Sequence, residues 1–327
     1  MTLAILCAGV APRHEVAHAQ PNTQGAAASG AQSDSRNGDI EVLPVQGNVH
    51  LIAGAGGNIT VQIGEDGVLL VDSGTEQTSA QVLSAIRRLS DRPIRYILNT
   101  HLHADHIGGN AAIASAGASL GAARALDGAE IIGHENLLLR LSKPGPGVAA
   151  VPYKDLPTAT YFTEEKDFSF NAEAVVLMHA AAAHTDGDTM VFFRSSDVVS
   201  TGDLFVTTSF PVIDADNGGS LQGIINALNQ VLKIAVPRQN QEGGTVIVPG
   251  HGRLCDEHEV LEYRDMLVII RDRIRDMVGR GASLDEVKRA KPTLDYDARY
   301  GSDTGSWATT AFVEAIYREL AKNRASN

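Results

Sequence analysis

The stretch that most constrains this chain lies at residues 100–110 and reads T-H-L-H-A-D-H-I-G-G-N. Within six residues it offers His101, His103, Asp105 and His106, four side chains that bind divalent metals. Strand side chains alternate with period two, so an H-x-H pair in extended backbone puts both imidazoles on one face, where they can chelate one ion. The preceding run 94–99 (I-R-Y-I-L-N) is predicted as the strand that feeds the loop. Asp105 and His106 follow as the chain leaves that strand, and I-G-G then turns it sharply, so both can face a second ion beside the first. A lone histidine in a loop is ordinarily a surface polar residue. Three with an aspartate at this spacing read as a metal site, because ligand number and type identify one.

Around this loop the chain alternates short apolar runs with turns. Residues 49–53, 59–63 and 68–71 are predicted strands of an antiparallel meander, with G-A-G-G-N (54–58) and G-E-D-G (64–67) as its turns. Asp72 closes the third strand in L-L-V-D-S-G-T. It could cap the helix predicted over 79–89 or accept a hydrogen bond from a ligand histidine. The alanine-rich residues 111–126 are predicted as helix, 130–133 as strand and 135–141 as helix. His134 between the last two is expected to pack or cap. Residues 142–157 read as an irregular surface loop and a candidate flap. A second strand cluster follows at 168–170, 174–178, 190–193, 198–201 and 245–248. His184 lies in A-A-A-H-T-D-G-D-T, Asp203 just after the strand ending at 201, and His251 in P-G-H-G. Each candidate ligand thus follows a strand, where loops gather at one sheet edge. From Val260 to Val278 apolar residues recur at helical spacing, Ser283 and Glu286 form a capping box, and 307–321 is amphipathic.

Composition narrows the class. With 43% hydrophobic and 20% charged residues the chain has the make-up of a soluble globular protein. A net charge of −12 argues against a nucleic-acid track, which needs a basic patch. Residues 3–10 form an apolar run too short to span a bilayer, and Ala17-His18-Ala19 fits a signal-peptidase site. Residues 1–19 are therefore expected to be an export signal, placing the protein in the periplasm or outside the cell. Residues 20–41 read as a disordered linker, since they hold little apolar surface to offset chain entropy. The mature chain would keep Cys255 alone and form no internal disulfide.

The series H-x-H-x-D-H, His184, Asp203, His251 resembles the metallo-β-lactamase-fold hydrolase superfamily, and the resemblance runs from about residue 42 to the C-terminus. L-L-V-D-S-G, H-T-D-G-D, S-T-G-D-L-F and V-P-G-H-G carry it further. It implies a single domain over 42–327, α/β in class: an αββα sandwich of two mixed sheets with helices outside and metals at one edge. It also implies His101, His103 and His184 on a first metal, Asp105, His106 and His251 on a second, and Asp203 bridging both. Two zinc ions suit imidazole and carboxylate without thiolate; iron or manganese would fit the same ligands.

Such a pair, about 3.5–4 Å apart, lowers the pKa of a bridging water towards 7 and stabilises a developing oxyanion. Asp105 would orient that nucleophile and carry its proton, acting as the catalytic side chain as well as a ligand. The expected function is hydrolysis of an ester, thioester, lactone or amide in a small-molecule substrate, with β-lactams included. True zinc β-lactamases usually have Cys or Ser where Asp203 stands, and many place a Lys shortly downstream, where this chain has Val206, Thr207 and Thr208. Asp203 resembles family thioesterases such as hydroxyacylglutathione hydrolase, lactonases and phosphodiesterases. Two alternatives stay open: a mononuclear non-haem iron oxidoreductase on the same fold, and a zinc β-lactamase proper.

Overall fold

A computed structural model describes residues 40–120, 128–143, 151–240, 243–305 and 307–325. The export signal, and the linker up to residue 39, lie outside the described residues.

The first sheet has its strands in chain order. β1 (Glu41–Gln46), β2 (Val49–Ala53), β3 (Ile59–Ile63) and β4 (Val68–Val71) pair antiparallel, the last three as the meander predicts. After helix α1 (Ser79–Leu89), β5 (Ile94–Leu98), β6 (Glu130–His134) and β7 (Ala159–Tyr161) add in parallel. Between β5 and β6 lie the short helices α2 (Ala104–Ile107) and α3 (Asn110–Ser115), and α4 (Glu135–Leu141) follows β6. The second sheet runs β12-β11-β10-β9-β8. Its members β8 (Glu165–Phe170), β9 (Glu173–Ala180), β10 (Asp188–Phe193) and β11 (Val198–Ser200) pair antiparallel, and β12 (Val246–Val248) joins β11 in parallel. Helix α5 (Leu221–Ile234) precedes β12; α6 (Glu257–Gly279), α7 (Leu284–Ala290), α8 (Asp297–Tyr300) and α9 (Thr309–Ala325) follow it.

Successive strand residues face opposite layers. In β4 all four residues are buried: Val68 and Leu70 pack with Val82, Ala85 and Ile86 of α1, while Leu69 and Val71 face the other sheet. There they share a core with Val175, Leu177, Val191 and Phe193. The far side of the second sheet, through Met190 and Val199, is covered by Leu228 of α5, Tyr263 of α6 and Phe312 of α9. Each sheet is hydrophobic on both faces and needs a partner on each, so the order helix–sheet–sheet–helix follows. This is the αββα sandwich of two mixed sheets. No helix among the described residues is long and apolar enough to cross a membrane.

Four departures from the sequence reading have local causes. β1 begins at Glu41 and contains Pro44, which a strand tolerates at a sheet edge and beside a bulge; the register shifts between Pro44 and Gln46. The helix expected over 111–126 stops at Ser115. Ala114 O accepts from Ala129 N and Ala118 N donates to Ile94 O, so this backbone is tied to neighbouring strands instead of a further helical turn; residues 121–127 lie outside the described residues. β7 and α5 were not expected. In α5, Gly223 weakens the helical signal, yet a Cβ there would come within 1.8 Å of Ala182 O. The helix rests its backbone against the loop that carries His184. Of the candidate flap, residues 144–150 lie outside the described residues; its remainder is tied down at Asp155, whose carboxylate accepts from Ala111 N at the start of α3.

Candidate metal centre

All seven sequence-predicted ligands meet at one edge of the sandwich. His101 and His103 follow β5, and His103 has the extended backbone of the residue before α2 (φ −72°, ψ 144°). Asp105 and His106 lie in α2 itself. His184 sits in the β9–β10 loop, Asp203 on the 3-10 turn Gly202–Leu204 after β11, and His251 directly beyond β12. Donor atoms of His101, His103, His184 and Asp203 lie within 4.8 Å of one another, and so do those of Asp105, His106 and His251. Asp203 stands between the two sets: Oδ2 is 3.9 Å from His101 Nε2 and from His184 Nε2. Its Oδ1 is 3.2 Å from His106 Nε2 and 3.5 Å from His251 Nε2.

Hydrogen bonds on the far side of four of the five rings determine which nitrogen faces the centre. His106 Nδ1–H donates to Asp72 Oδ2 at 2.7 Å. Thr100 Oγ1 donates to the same oxygen and accepts from His101 Nδ1–H at 2.9 Å. His103 Nε2–H donates to Asp214 Oδ2 at 2.9 Å, and His184 Nδ1–H to Val212 O at 2.8 Å. The inward nitrogens are therefore Nε2 of His101, His106 and His184 and Nδ1 of His103, each left as a lone pair. Asp72 thus orients ligand rings and does not cap α1, whose N-cap is Thr78. The alternative left open by the sequence is closed.

These residues fit divalent ions. The buried His101 Nε2 and Asp203 Oδ1 make no hydrogen bond, which is costly unless another partner takes them. Inward nitrogens also face each other, His184 Nε2 and His103 Nδ1 at 3.0 Å and His106 Nε2 and His251 Nε2 at 3.3 Å. Such close approach of inward nitrogens suits a shared cation between them. Burial pushes His101 and His184 well below and below the ordinary imidazole range, keeping them neutral and ready to ligate. Burial would do the same to His106, but the carboxylates of Asp203 and Asp72 lift it well above that range. The pocket around His106 calls for positive charge.

One position needed the tertiary structure. Asp214 has no motif around it in sequence, yet its side chain holds His103 and its N–H donates to His184 O. Burial would raise its carboxyl, but hydrogen bonds from His103 and Asn217 bring it down to about 2. His134 caps α4, its Nδ1 accepting from Asn136 N, and stacks on His179 at 3.6 Å, away from both donor sets. Cys255 is buried beside Arg253 and joins neither set; burial pushes its thiol up.

The sequence profile of the metallo-beta-lactamase superfamily matches residues 45–251, more than half of the chain. A linear primary-alkylsulfatase from Pseudomonas sp. (strain ATCC 19151) is 43% identical over 51 residues, 15% of this chain and 10% of that protein. The chain thus matches only a tenth of the length of that relative. Among solved structures, a metallo-beta-lactamase from Pontibacter korlensis superposes with a TM-score of 0.54 at 16% identity, covering 70% of this chain and 99% of the other. The stereoselective inverting sec-alkylsulfatase Pisa1 from Pseudomonas sp. gives 0.63 at 14% identity over 86% of this chain and 50% of its own. At such identities the structural likeness concerns the fold.

Proposed function

The chain belongs to the metallo-beta-lactamase superfamily, and from that premise we propose that it is a dinuclear zinc hydrolase cleaving an ester, thioester, lactone or amide bond of a small molecule. Asp203 carries the reading, because its two oxygens face two separate donor sets. His101, His103 and His184 would hold one ion, Asp105, His106 and His251 the other, and Asp203 both. Ions bound there supply a water acidic enough to attack near neutral pH and charge to offset the developing oxyanion. Asp105 is the residue placed to handle the proton: Oδ2 lies 3.1 Å from His251 Nε2, and the side chain is 40% exposed at the open side of the site. It orients the attacking water and passes the proton to the leaving group. Asp72, Thr100, Asp214 and the Val212 carbonyl hold the rings so that little reorganisation is needed.

The substrate reading draws on what surrounds Asp203. Val206 and Thr207 support the His251 loop, Thr207 N donating to His251 O, and no Lys or Arg stands at 206–208 to hold a carboxylate. That weighs against a β-lactamase proper and towards esters, thioesters and lactones. The local identity to an alkylsulfatase adds alkyl sulfate esters to the substrates worth testing. Export to the periplasm or beyond is proposed from residues 1–19; N-terminal sequencing of the secreted chain tests it.

Metal analysis of the purified chain, with turnover of an ester, thioester, lactone, β-lactam and alkyl sulfate panel before and after chelation, tests the function. About two zinc ions per chain and loss of turnover on chelation are expected. An active metal-free protein would overturn the reading. One iron per chain with thiol-dependent oxygen uptake would replace it with the iron oxidoreductase.

A further inference from the structure

The turn G-A-G-G-N between β2 and β3 supplies no metal donor, yet it touches Asp105 and His106 and binds the backbone on both sides of His251. Asn58, 9% exposed, donates from Nδ2 to Pro249 O at 2.9 Å and to Gly252 O at 2.9 Å, and from its backbone N–H to Gly250 O at 2.8 Å. Three of the carbonyls that bracket His251 are thereby fastened to the opposite sheet. Gly57 N donates to Asp105 O at 3.0 Å. The imidazole of His106 lies directly over Gly57, where a Cβ would come within 2.4 Å of Cε1 and 2.6 Å of Nε2. The turn is itself anchored from behind, since Ala55 O accepts from Thr75 N and from Thr78 Oγ1.

We infer that the loop Gly54–Asn58 is a positioning device for the second metal: Asn58 sets the place of His251, and Gly57 the places of Asp105 and His106. The inference rests on the dinuclear reading above. Its physical basis is that His251 and Asp105, 31% and 40% exposed, stand on loop and helix-end backbone, so the backbone bonds at their roots decide where their donors sit. The first set does not use this loop. His101, His103 and His184 are oriented by Thr100, Asp214 and Val212 O. A change at Asn58 or Gly57 should therefore separate the two ions, whereas a general loss of packing would weaken both.

The experiment is stepwise titration of the metal-free full chain with Co2+, followed by its visible spectrum, together with zinc content after dialysis. Two variants are compared with the native chain: Asn58→Ala, which removes the Nδ2 donor, and Gly57→Ala, which pushes on the His106 ring through a separate contact. In each, the second-ion dissociation constant should rise by roughly 10–100-fold while the first stays within about threefold, as expected when support of a ligand is lost. Equal weakening of both ions, or none, in the folded variants would overturn the inference and leave Asn58 as a packing residue. If Asn58→Ala does not fold, Gly57→Ala decides by the same two criteria. A native chain that binds fewer than two ions would overturn the dinuclear reading and this inference with it; two ions in the native chain and unaltered second-ion binding in the variants would remove the inference alone.

Discussion

The two donor sets are built differently although they share Asp203. Every imidazole of the first set has its outer nitrogen engaged: His101 by Thr100, His103 by Asp214 and His184 by the Val212 carbonyl. His101 and His184 are almost wholly buried. In the second set His106 is buried and oriented by Asp72, but Asp105 and His251 are partly exposed and held through their backbone. A ligand whose ring is locked loses little freedom on binding an ion, while one that is only placed by its backbone must order its side chain as well. The first position should thus be the tighter, and the second the exchangeable one nearer to solvent and to Asp105.

The sharpest way to break this contrast is Asp105→Asn. It keeps the size of the side chain but removes the charge, so hydrolysis should fall by on the order of 100-fold or more, with the melting temperature nearly unchanged. Steady-state turnover and a thermal melt check it; a melting temperature that collapsed with activity would make Asp105 structural. Asp203→Ser comes next. His101, His103 and His184 stay intact, so zinc content should drop from two ions towards one, along with turnover. Two tightly held ions and full turnover would show that Asp203 does not bridge.

Asp214→Asn is the reciprocal probe. It weakens the hold on His103 and should raise the first-ion dissociation constant by roughly 10-fold, leaving the second within error. Competition with a chromogenic chelator measures both constants. If the second ion were the one affected, the division of the donors would be wrong.

The smallest effect lies behind the first set, where α4 rests on the His184 loop through Asn136 Nδ2, which donates to Asp186 O. His134 caps that helix, and burial, reinforced by the neighbouring His179, lowers its pKa to about 4 from an ordinary value of 6.5. A lowered imidazole is neutral when folded but protonates when unfolded. Its contribution is thus complete above about pH 6.5 and is lost as the pH falls from there towards 4. His134→Ser keeps a capping oxygen without the titration. Denaturant melts at pH 7 and pH 5 should show the variant losing less stability on acidification, by on the order of 1 kcal/mol. Identical acid sensitivity would remove His134 from the account.

Much of the donor set could be read along the chain. H-x-H-x-D-H is local, so its four side chains had to fall close together, although the short helix α2 that carries Asp105 and His106 was not foreseen. His184, Asp203 and His251 each follow a predicted strand, so their meeting at one edge needed only the sheets to form. The edge strands β1 and β7 and helix α5 were not legible. Pro44 obscures the first, β7 is three residues long, and Gly223 dilutes the third.

The sequence by itself determined which residues could bind metal and where strands and helices would fall, because residue type and periodicity are properties of short segments; the packing of two sheets between helices came with the family resemblance. Only the tertiary structure decided how each donor is held. Asp72 could have capped a helix until the loop after β5 brought Thr100 and His106 to it. Asp214 reaches His103 across 111 residues, and Asn58 reaches Pro249 across 191. Contacts of that separation leave no period or spacing in the sequence, since they form only when the two sheets stack and bring the loops at their edges together.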